Sequence, residues 1–462
     1  MKRKISSFVR GCFAVLAAAV FLTLFACVPA EKVEGELPEG YIPEVKGRLK
    51  VGVRMNVFPN ESSRKSINNW LNWFRTKYPE VTIEANFTIP DDYSALISSR
   101  TIGDVYWLSD ETLNYYALTH EALMPLDSYI EAFDIDLSQL YSGILALCET
   151  AGKYYFVGAT CGNITLTYNM DAMVEAGILA PGERVADDWT WEDFKDYAER
   201  LKKYDVDGKT LTQVGGSWPL NWSNTFSPFI YAYGGTWADK TDKKVMLSND
   251  LVRKGIGEVI SALDNRWLYP VGIQMSKEMA ASYGNIQMHN GPVFVSNNAY
   301  TVLMSSGDFY NQTGTAWDVA PWPLFPEKAS PCGTIGFGVF SYTKNSDAAA
   351  ALVLSLWTEE GQIAFHSQEG GDVPVIKKLG EQDFWHLNRE GYDHVNFGAF
   401  TANYDRYVAG QVTASVPPEI ATLMISGMTD LYESYCLGES SWEDKLAKLE
   451  EQCNSLWETL AD

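Results

Sequence analysis

The feature that most constrains the fold is a regular alternation of strand-like and helix-like segments. Residues 49–55 have the β-branched pattern of a strand, and residues 62–78 follow with apolar side chains at helical spacing. Strand patterns return at residues 81–87 and 104–108. Strands separated by helices predict βαβ units and a mainly parallel sheet whose two faces are covered.

A second strand–helix series begins near Thr165. Thr190 and Asp193 form a capping box at the start of its next helix, and Trp191 lies on the apolar face of that helix. The later segments are a glycine-rich strand (334–340), a helix (347–357) and two C-terminal helices (419–435 and 442–460). Two such series in 462 residues exceed one ordinary core, so we expect an α/β protein with two lobes.

The N-terminus has the layout of a secretory signal peptide over residues 1–26. Four basic residues in the first ten positions precede sixteen uncharged, mostly apolar residues that end at Ala26. That run is shorter than the roughly 20 residues of a membrane-spanning helix. Leu24-Phe25-Ala26-Cys27 resembles a bacterial lipobox, which implies a lipid on Cys27, and the polar residues 27–47 predict a flexible tether. An ordinary signal peptide with an incidental cysteine is the alternative.

Charge and cysteine spacing exclude several function classes. A formal net charge of −23 disfavours nucleic acid as a partner, because the phosphate backbone is also negative. The cysteines include no CxxC pair and the histidines no metal-ligand spacing, so we expect no metal and no cofactor. Cys148 and Cys161 flank a predicted hairpin and could form a disulfide after export; buried free thiols are the alternative.

Several short motifs occur in a fixed order along most of the chain. They are Gly103-Asp104-Val105, Leu123-Met124-Pro125-Leu126-Asp127, Gly152-Lys153-Tyr154, Tyr168-Asn169-Met170-Asp171, Trp189-Thr190-Trp191-Glu192-Asp193-Phe194, Trp317-Asp318-Val319-Ala320-Pro321 and Gly370-Gly371-Asp372-Val373-Pro374. This order resembles that of the family 1 extracellular solute-binding proteins, the maltose-binding-like receptors of ATP-driven importers. Glu121-Ala122 and Pro292 depart from the family's pattern and leave the ligand class open.

The resemblance implies a two-lobed fold of the periplasmic-binding-protein type, with a hinge and a ligand cleft between the lobes. It assigns residues 48–160 and about 322–378 to the first lobe, and about 161–321 and 379–462 to the second. It also implies an exported monomer, held by its lipid at the extracellular face of the cell membrane. Such a protein captures a small-molecule ligand, in the first place a carbohydrate, and passes it to the permease subunits of an ABC transporter. The resemblance thus implies that the chain is a receptor and not an enzyme.

A sugar receptor needs aromatic rings for the C–H faces of the sugar and polar side chains for its hydroxyls. Residues of these types follow predicted strands or stand in loops beside glycine or proline, and we take them as candidate ligand contacts: Asn56, Phe58, Asp110, Trp218, Trp222, Trp237, Asn298, Tyr300, Trp322 and Asp372. For each tryptophan the alternative is packing in the core. For the two aspartates it is a helix N-cap.

Three other functions are compatible with the sequence. The same kind of receptor could bind a cationic or peptide-like solute, since the acidic chain would tolerate a cation. A surface glycoside hydrolase would require two carboxylates that face one glycosidic bond, and no motif supplies such a pair. A passive adhesion module would have a flat binding face and no hinge.

Overall fold

The structure is a computed structural model that describes residues 32–56, 61–90, 92–239, 241–288, 290–327, 329–367, 372–386, 391–404, 407–409 and 416–461. Strands and helices alternate through this part of the chain, as the sequence predicts. The strands, numbered in chain order, are β1 (Gly47–Arg54), β2 (Val81–Ile89), β3 (Val105–Ser109), β4 (Glu149–Thr150), β5 (Lys153–Tyr154), β6 (Val157–Gly158), β7 (Gly162–Asn163), β8 (Thr165–Asn169), β9 (Lys203–Tyr204), β10 (Leu211–Pro219), β11 (Ala238–Asp239), β12 (Lys244–Val245), β13 (Leu268–Val271), β14 (Pro292–Asn297), β15 (Trp317–Pro321), β16 (Ser330–Gly333), β17 (Ile335–Val339) and β18 (Tyr407–Ala409).

Helices connect the strands and cover the sheets. In chain order they are α1 (Glu61–Lys77), α2 (Ser94–Ser98), α3 (Asp127–Ala132), α4 (Ser142–Cys148), α5 (Met170–Glu175), α6 (Trp191–Leu201), α7 (Ser223–Tyr231), α8 (Asp250–Asp264), α9 (Lys277–Ser282), α10 (Ala299–Thr301), α11 (Gly307–Thr313), α12 (Ser346–Leu354), α13 (Glu359–His366), α14 (Lys377–Gly380), α15 (Pro418–Leu437) and α16 (Trp442–Ala461). None of the helices in the described part of the chain combines the length and apolarity needed to cross a lipid bilayer.

Two sheets have the same plan. The first has the order β2-β1-β3-β17-β6, and the second has the order β13-β10-β14-β8-β15. In each sheet the first three strands are parallel and the fourth is antiparallel to the third. The carboxyl ends of the parallel strands therefore meet at one edge of each sheet, which is where ligands of open α/β sheets bind.

Each sheet has its own hydrophobic core. The first core contains strand residues such as Leu49, Val51 and Val105, and the second contains others such as Leu166 and Val214, all at most 1% exposed. The expected two-lobed α/β fold is confirmed. We use first lobe and second lobe below for the parts of the chain that pack around these two cores.

Packing differs from the expected lobe boundaries in three places. Trp385, expected in the second lobe, packs in the first core, where its ring centroid lies 6.3 Å from that of Phe400. Trp322, expected in the first lobe, packs in the second core at 5.4 Å from Trp218. Residues between 299 and 319, expected in the second lobe, contribute apolar side chains such as Trp317 to the first core. Each of these segments lies next to a crossing between the cores, where the motif order in the sequence carries no information on which core a ring enters.

A small third sheet joins the lobes. Strand β16 pairs antiparallel with β7 and parallel with β18, in the order β18-β16-β7. All three strands belong to segments in which the chain passes from one core to the other. The two lobes are thus connected by three neighbouring strands.

The predicted capping box is present and sets the start of α6. The Thr190 hydroxyl accepts a hydrogen bond from the Asp193 N–H at 3.2 Å, and the Asp193 carboxylate accepts one from the Thr190 N–H at 2.8 Å. From this cap, helical spacing buries Trp191 and Phe194 against the second core.

Candidate functional site

A cavity of about 270 Å³ lies between the two lobes, and we call it the interlobe cavity. Its first-lobe wall consists of Ser66, Ser109, Asp110, Glu111, Phe365 and Asp372. Its second-lobe wall consists of Trp222 and Asn224, and Asn298 lines it where β14 of the second sheet passes into α10. The crossing segments supply Thr160, Gly162, Gly333, Thr334 and Ile335. The structure therefore brings together four of the predicted ligand contacts: Asp110, Trp222, Asn298 and Asp372.

Asp110 reaches the cavity because β3 ends just before it. The strand is almost wholly buried, and the chain turns into a short 3₁₀ helix at Asp110. The Asp110 N–H donates to the Thr334 carbonyl at 3.2 Å, which fixes the turn against a crossing segment. Only 5% of Asp110 is exposed. Burial raises the pKa of its carboxyl well above the ordinary value, and the neighbouring Glu111 raises it further.

Glu111 and Trp222 make a hydrogen bond from one lobe to the other. The Trp222 Nε1–H donates to the Glu111 carboxylate at 3.2 Å. Desolvation raises the pKa of Glu111, while this hydrogen bond and the charge of Arg54 lower it. Trp222 is half-buried and precedes α7, whose first residues pack in the second lobe. The Trp222 ring thus lines the cavity, and its N–H is hydrogen-bonded to a residue of the first-lobe wall.

Asn224 holds an unsatisfied polar atom on the cavity wall. It is 5% exposed, and its Oδ1 has no hydrogen-bond partner among the residues that the structure describes. Gly333 lies between Asn224 and Asp110: a Cβ there would stand 3.0 Å from the Asn224 Nδ2 and 3.8 Å from both Asp110 carboxylate oxygens. Because Gly333 has no side chain, the space between the Asn224 amide and the Asp110 carboxylate stays open at this position.

Asn298 and Asp372 use part of their side chains for local structure. The Asn298 Oδ1 accepts from the Thr301 N–H at 2.8 Å and so caps α10, and the Asp372 Oδ1 accepts from the Val373 N–H at 2.9 Å. Both residues also line the cavity. Asn298 thus combines a helix cap with a place on the cavity wall. The N-cap alternative was wrong for both aspartates, because Ser109 is the N-cap of the 3₁₀ helix that begins at Asp110 and Ile376 is the N-cap of α14, the helix that follows Asp372.

His366 is buried next to the segment that supplies Thr160 to the cavity wall. Its Nε2 lies 3.0 Å from the Ala159 carbonyl oxygen, next to the crossing segment. Burial lowers the pKa of the imidazole to about 4, so the ring is neutral at pH 7. It contributes a fixed hydrogen bond and no charge to the neighbourhood of the cavity.

Three predicted contacts lie in the second core instead of on the cavity. Trp218 and Trp237 are 0% exposed and Trp322 is 2% exposed. The prediction was wrong for Trp218 because Gly215-Gly216 suggested a loop, whereas β10 runs through both glycines. A Cβ on Gly216 would stand 2.7 Å from the Trp218 ring, so the missing side chain makes room for the ring in the core.

Of the remaining predicted contacts, only Asn56 has a side chain that the structure describes. Asn56 is exposed in the turn after β1 and does not line the cavity. Phe58, the side chain of Tyr300 and Cys27 lie outside the described residues.

Several cavity residues were missed by the sequence analysis. Glu111 follows Asp110 directly and Asn224 stands two residues after Trp222, so a wider window around each predicted contact would have included both. Ser66 and Phe365 lie within helices, where apolar spacing indicates packing and gives no sign of a ligand.

The described residues offer no alternative metal or disulfide chemistry. No group of three or more His, Cys, Asp or Glu side chains in the described ranges is arranged to hold a metal ion. The cysteines that the structure describes, Cys148 and Cys161 among them, are buried free thiols. Burial raises the pKa of the Cys436 thiol to about 12, which makes it a weak nucleophile.

Comparison with known proteins identifies similar sequences. Residues 75–390 match the model of the family described as bacterial extracellular solute-binding protein. The arabinooligosaccharide-binding protein of Bacillus subtilis (strain 168) is 23% identical over 266 residues, which make up 56% of this chain. The match spans about half of that relative, 55% of its length.

Solved structures share the fold over nearly the whole described chain. The sugar-binding protein MalE from Xanthomonas citri is 17% identical with a TM-score of 0.69, covering 90% of this chain and 98% of its own. An ABC substrate-binding protein from Listeria monocytogenes in complex with cycloalternan is 19% identical with a TM-score of 0.65, covering 89% and 99%. At these identities the likeness concerns the fold alone.

Proposed function

Because the chain belongs to the family of bacterial extracellular solute-binding proteins, we propose that it captures a sugar or an oligosaccharide in the interlobe cavity. It then delivers this ligand to the permease of an ABC importer. The observation that carries the proposal is the cavity itself, which lies between two lobes and combines an aromatic ring with polar side chains of both lobes.

The cavity wall has the chemistry that a sugar requires. The half-buried Trp222 ring can stack on the C–H face of a pyranose or furanose, and Phe365 adds a second apolar surface. Carboxylates and amides, such as those of Asp110 and Asn224, can accept hydrogen bonds from sugar hydroxyls. A relative named as an arabinooligosaccharide-binding protein and a structural neighbour solved in complex with cycloalternan support the same ligand class.

A thermal-shift screen against a library of mono- and oligosaccharides tests the proposal. A ligand present at 100 times its Kd stabilises the protein by about 2.7 kcal/mol, and such a change raises Tm by roughly 5 °C or more in a domain of about 200 residues. We expect at least one saccharide to do so, with calorimetry giving its Kd. A screen in which amino acids, peptides or polyamines stabilise the protein and saccharides do not would contradict the proposal.

We further propose that binding takes place without turnover. The support is the family, whose members are binding proteins. The test is prolonged incubation of the purified protein with each saccharide that it binds, followed by chromatography of the mixture. The saccharide should be recovered intact, and cleavage products would instead indicate the glycoside hydrolase.

The proposal extends to the location of the protein. A signal peptide over residues 1–26 and a lipid on Cys27 would hold the monomeric receptor at the extracellular face of the membrane, beside its permease. We expect Cys27→Ala to leave the protein unprocessed or to release it from the membrane. Retention at the membrane with the same mass as the wild type would argue against the anchor.

A further inference from the structure

The ionisable side chains that line the interlobe cavity are all carboxyl groups. Asp110, Glu111 and Asp372 are carboxylates, and among the described residues on the cavity wall there is no Lys, Arg or His. Two of the carboxylates are adjacent in sequence and stand on the first-lobe side, facing Trp222 and Asn224 of the second lobe.

The unpaired amide oxygen of Asn224 is an independent sign of what the ligand must supply. Asn224 is 95% buried, and its Oδ1 has no partner among the described residues. A buried acceptor without a donor is unfavourable until a donor arrives. The carboxylates and this amide oxygen therefore form a wall of acceptors, which calls for a ligand rich in O–H or N–H donors.

A positive charge, that of Arg54, acts on Glu111 from outside the cavity wall. The charge of Arg54 lowers the pKa of Glu111, which places the guanidinium in the same neighbourhood. That guanidinium lies over the Trp107 ring, 5.1 Å from its centroid, and Arg54 does not line the cavity. The carboxylates therefore line the cavity and the arginine does not.

We propose that the cavity selects its ligand by charge: it admits uncharged and amine-bearing saccharides and rejects those with carboxylate or phosphate groups. Glu111 is the residue that determines this specificity. It has contact with solvent on the cavity wall and holds the hydrogen bond from Trp222. The proposal rests on the proposed function, since it specifies the class of saccharide that the same cavity binds.

The first test compares saccharides that differ only in charge. Neutral gluco-, galacto- and arabino-oligosaccharides, the free-amine oligomers of glucosamine and galactosamine, oligogalacturonides and sugar phosphates are screened by thermal shift at pH 7, and Kd is measured by calorimetry. We expect binding to be confined to the neutral and amine-bearing sets, with acidic counterparts at least tenfold weaker. An acidic saccharide that binds as tightly as its neutral counterpart would overturn charge selection and leave the proposed function intact. Failure of every saccharide would overturn both.

The second test assigns the selection to Glu111. Glu111→Gln keeps the size of the side chain and an acceptor for the Trp222 N–H but removes the charge. We expect the ratio of affinities for amine-bearing over neutral saccharides, or for neutral over acidic ones, to fall at least about threefold. Glu149→Gln, an exposed residue of β4 outside the cavity, is the matched control and should leave both ratios unchanged. Unchanged ratios in Glu111→Gln would exclude Glu111 as the specificity-determining residue.

Discussion

The fold buries the carboxyl group of Asp110, and burial disfavours its charged form. Its pKa is raised in the folded protein, first by burial and then by Glu111. A carboxyl with a raised folded-state pKa binds its proton more tightly in the folded than in the unfolded chain. Its contribution to the free energy of unfolding is therefore fully present below the ordinary pKa of 3.8 and is lost as pH rises through the raised value.

We predict that Asp110→Asn stabilises the ligand-free protein at pH 7. Calorimetric scans should give a Tm about 2 °C above the wild type, which corresponds to about 0.5–1 kcal/mol in a domain of this size. The difference should shrink towards pH 4, where the wild-type carboxyl also becomes uncharged. A difference in Tm that does not depend on pH would show that the charge of the Asp110 carboxylate does not destabilise the folded protein. Affinity for the saccharide should fall in the same variant.

Trp222 and Trp218 are close in sequence and differ in role. Trp222 is half-buried on the cavity wall, whereas Trp218 is 0% exposed in the second core. We predict that Trp222→Ala weakens saccharide binding about tenfold or more, equivalent to 1.4 kcal/mol, with a small change in Tm. Trp218→Ala should cost about 3–5 kcal/mol of stability and leave the affinity of the folded fraction nearly unchanged.

Calorimetry of the two variants side by side separates these effects. If both variants lose stability equally and bind the saccharide with wild-type affinity, then Trp222 is a packing residue and does not contact the ligand.

At the scale of elements, helix α8 contains two glycines that differ only in their surroundings. A Cβ on Gly255 would stand 1.6 Å from the Phe229 carbonyl oxygen of α7, whereas a Cβ on Gly257 meets nothing within 4 Å. We predict that Gly255→Ala forces α7 and α8 apart and lowers Tm strongly. Gly257→Ala should stabilise the protein by roughly 0.5–1 kcal/mol, since alanine favours the helix. Equal effects of the two variants in thermal melts would contradict this packing.

Elements whose signals are local could be predicted from sequence, as helix α6 illustrates. Its start depends on Thr190 and Asp193, three residues apart, and both hydrogen bonds of the capping box are present. Strand β10 could not be predicted in full, because its glycines fit a loop as well as a strand until a neighbouring ring fills the space above Gly216. The same limit applies to the cavity: that Glu111 meets Trp222 depends on how two lobes pack, and sequence spacing does not encode it.

At the scale of the whole molecule, the hydrogen bond between Trp222 and Glu111 joins two lobes that the three-stranded sheet of β7, β16 and β18 also connects. We predict that the lobes approach each other further when a saccharide binds, since contacts from both walls then favour the closed state. Small-angle scattering should show the radius of gyration decrease by a few per cent from about 23 Å, the value for a compact chain of this length. An unchanged radius at saturating saccharide would contradict closure.

The route of the chain through the two cores also has a consequence for its synthesis. The first core uses residues up to 161 and then needs residues from 299–319 and 332–400, and the second needs residues 416–457. At 5–20 residues per second, a ribosome takes roughly 10–50 s to pass from residue 161 to residue 400. During that interval the emerging polypeptide cannot finish either lobe. A translocase that accepts only unfolded chains therefore has a long period in which to engage it, and the fold is completed only after the last crossing has been made.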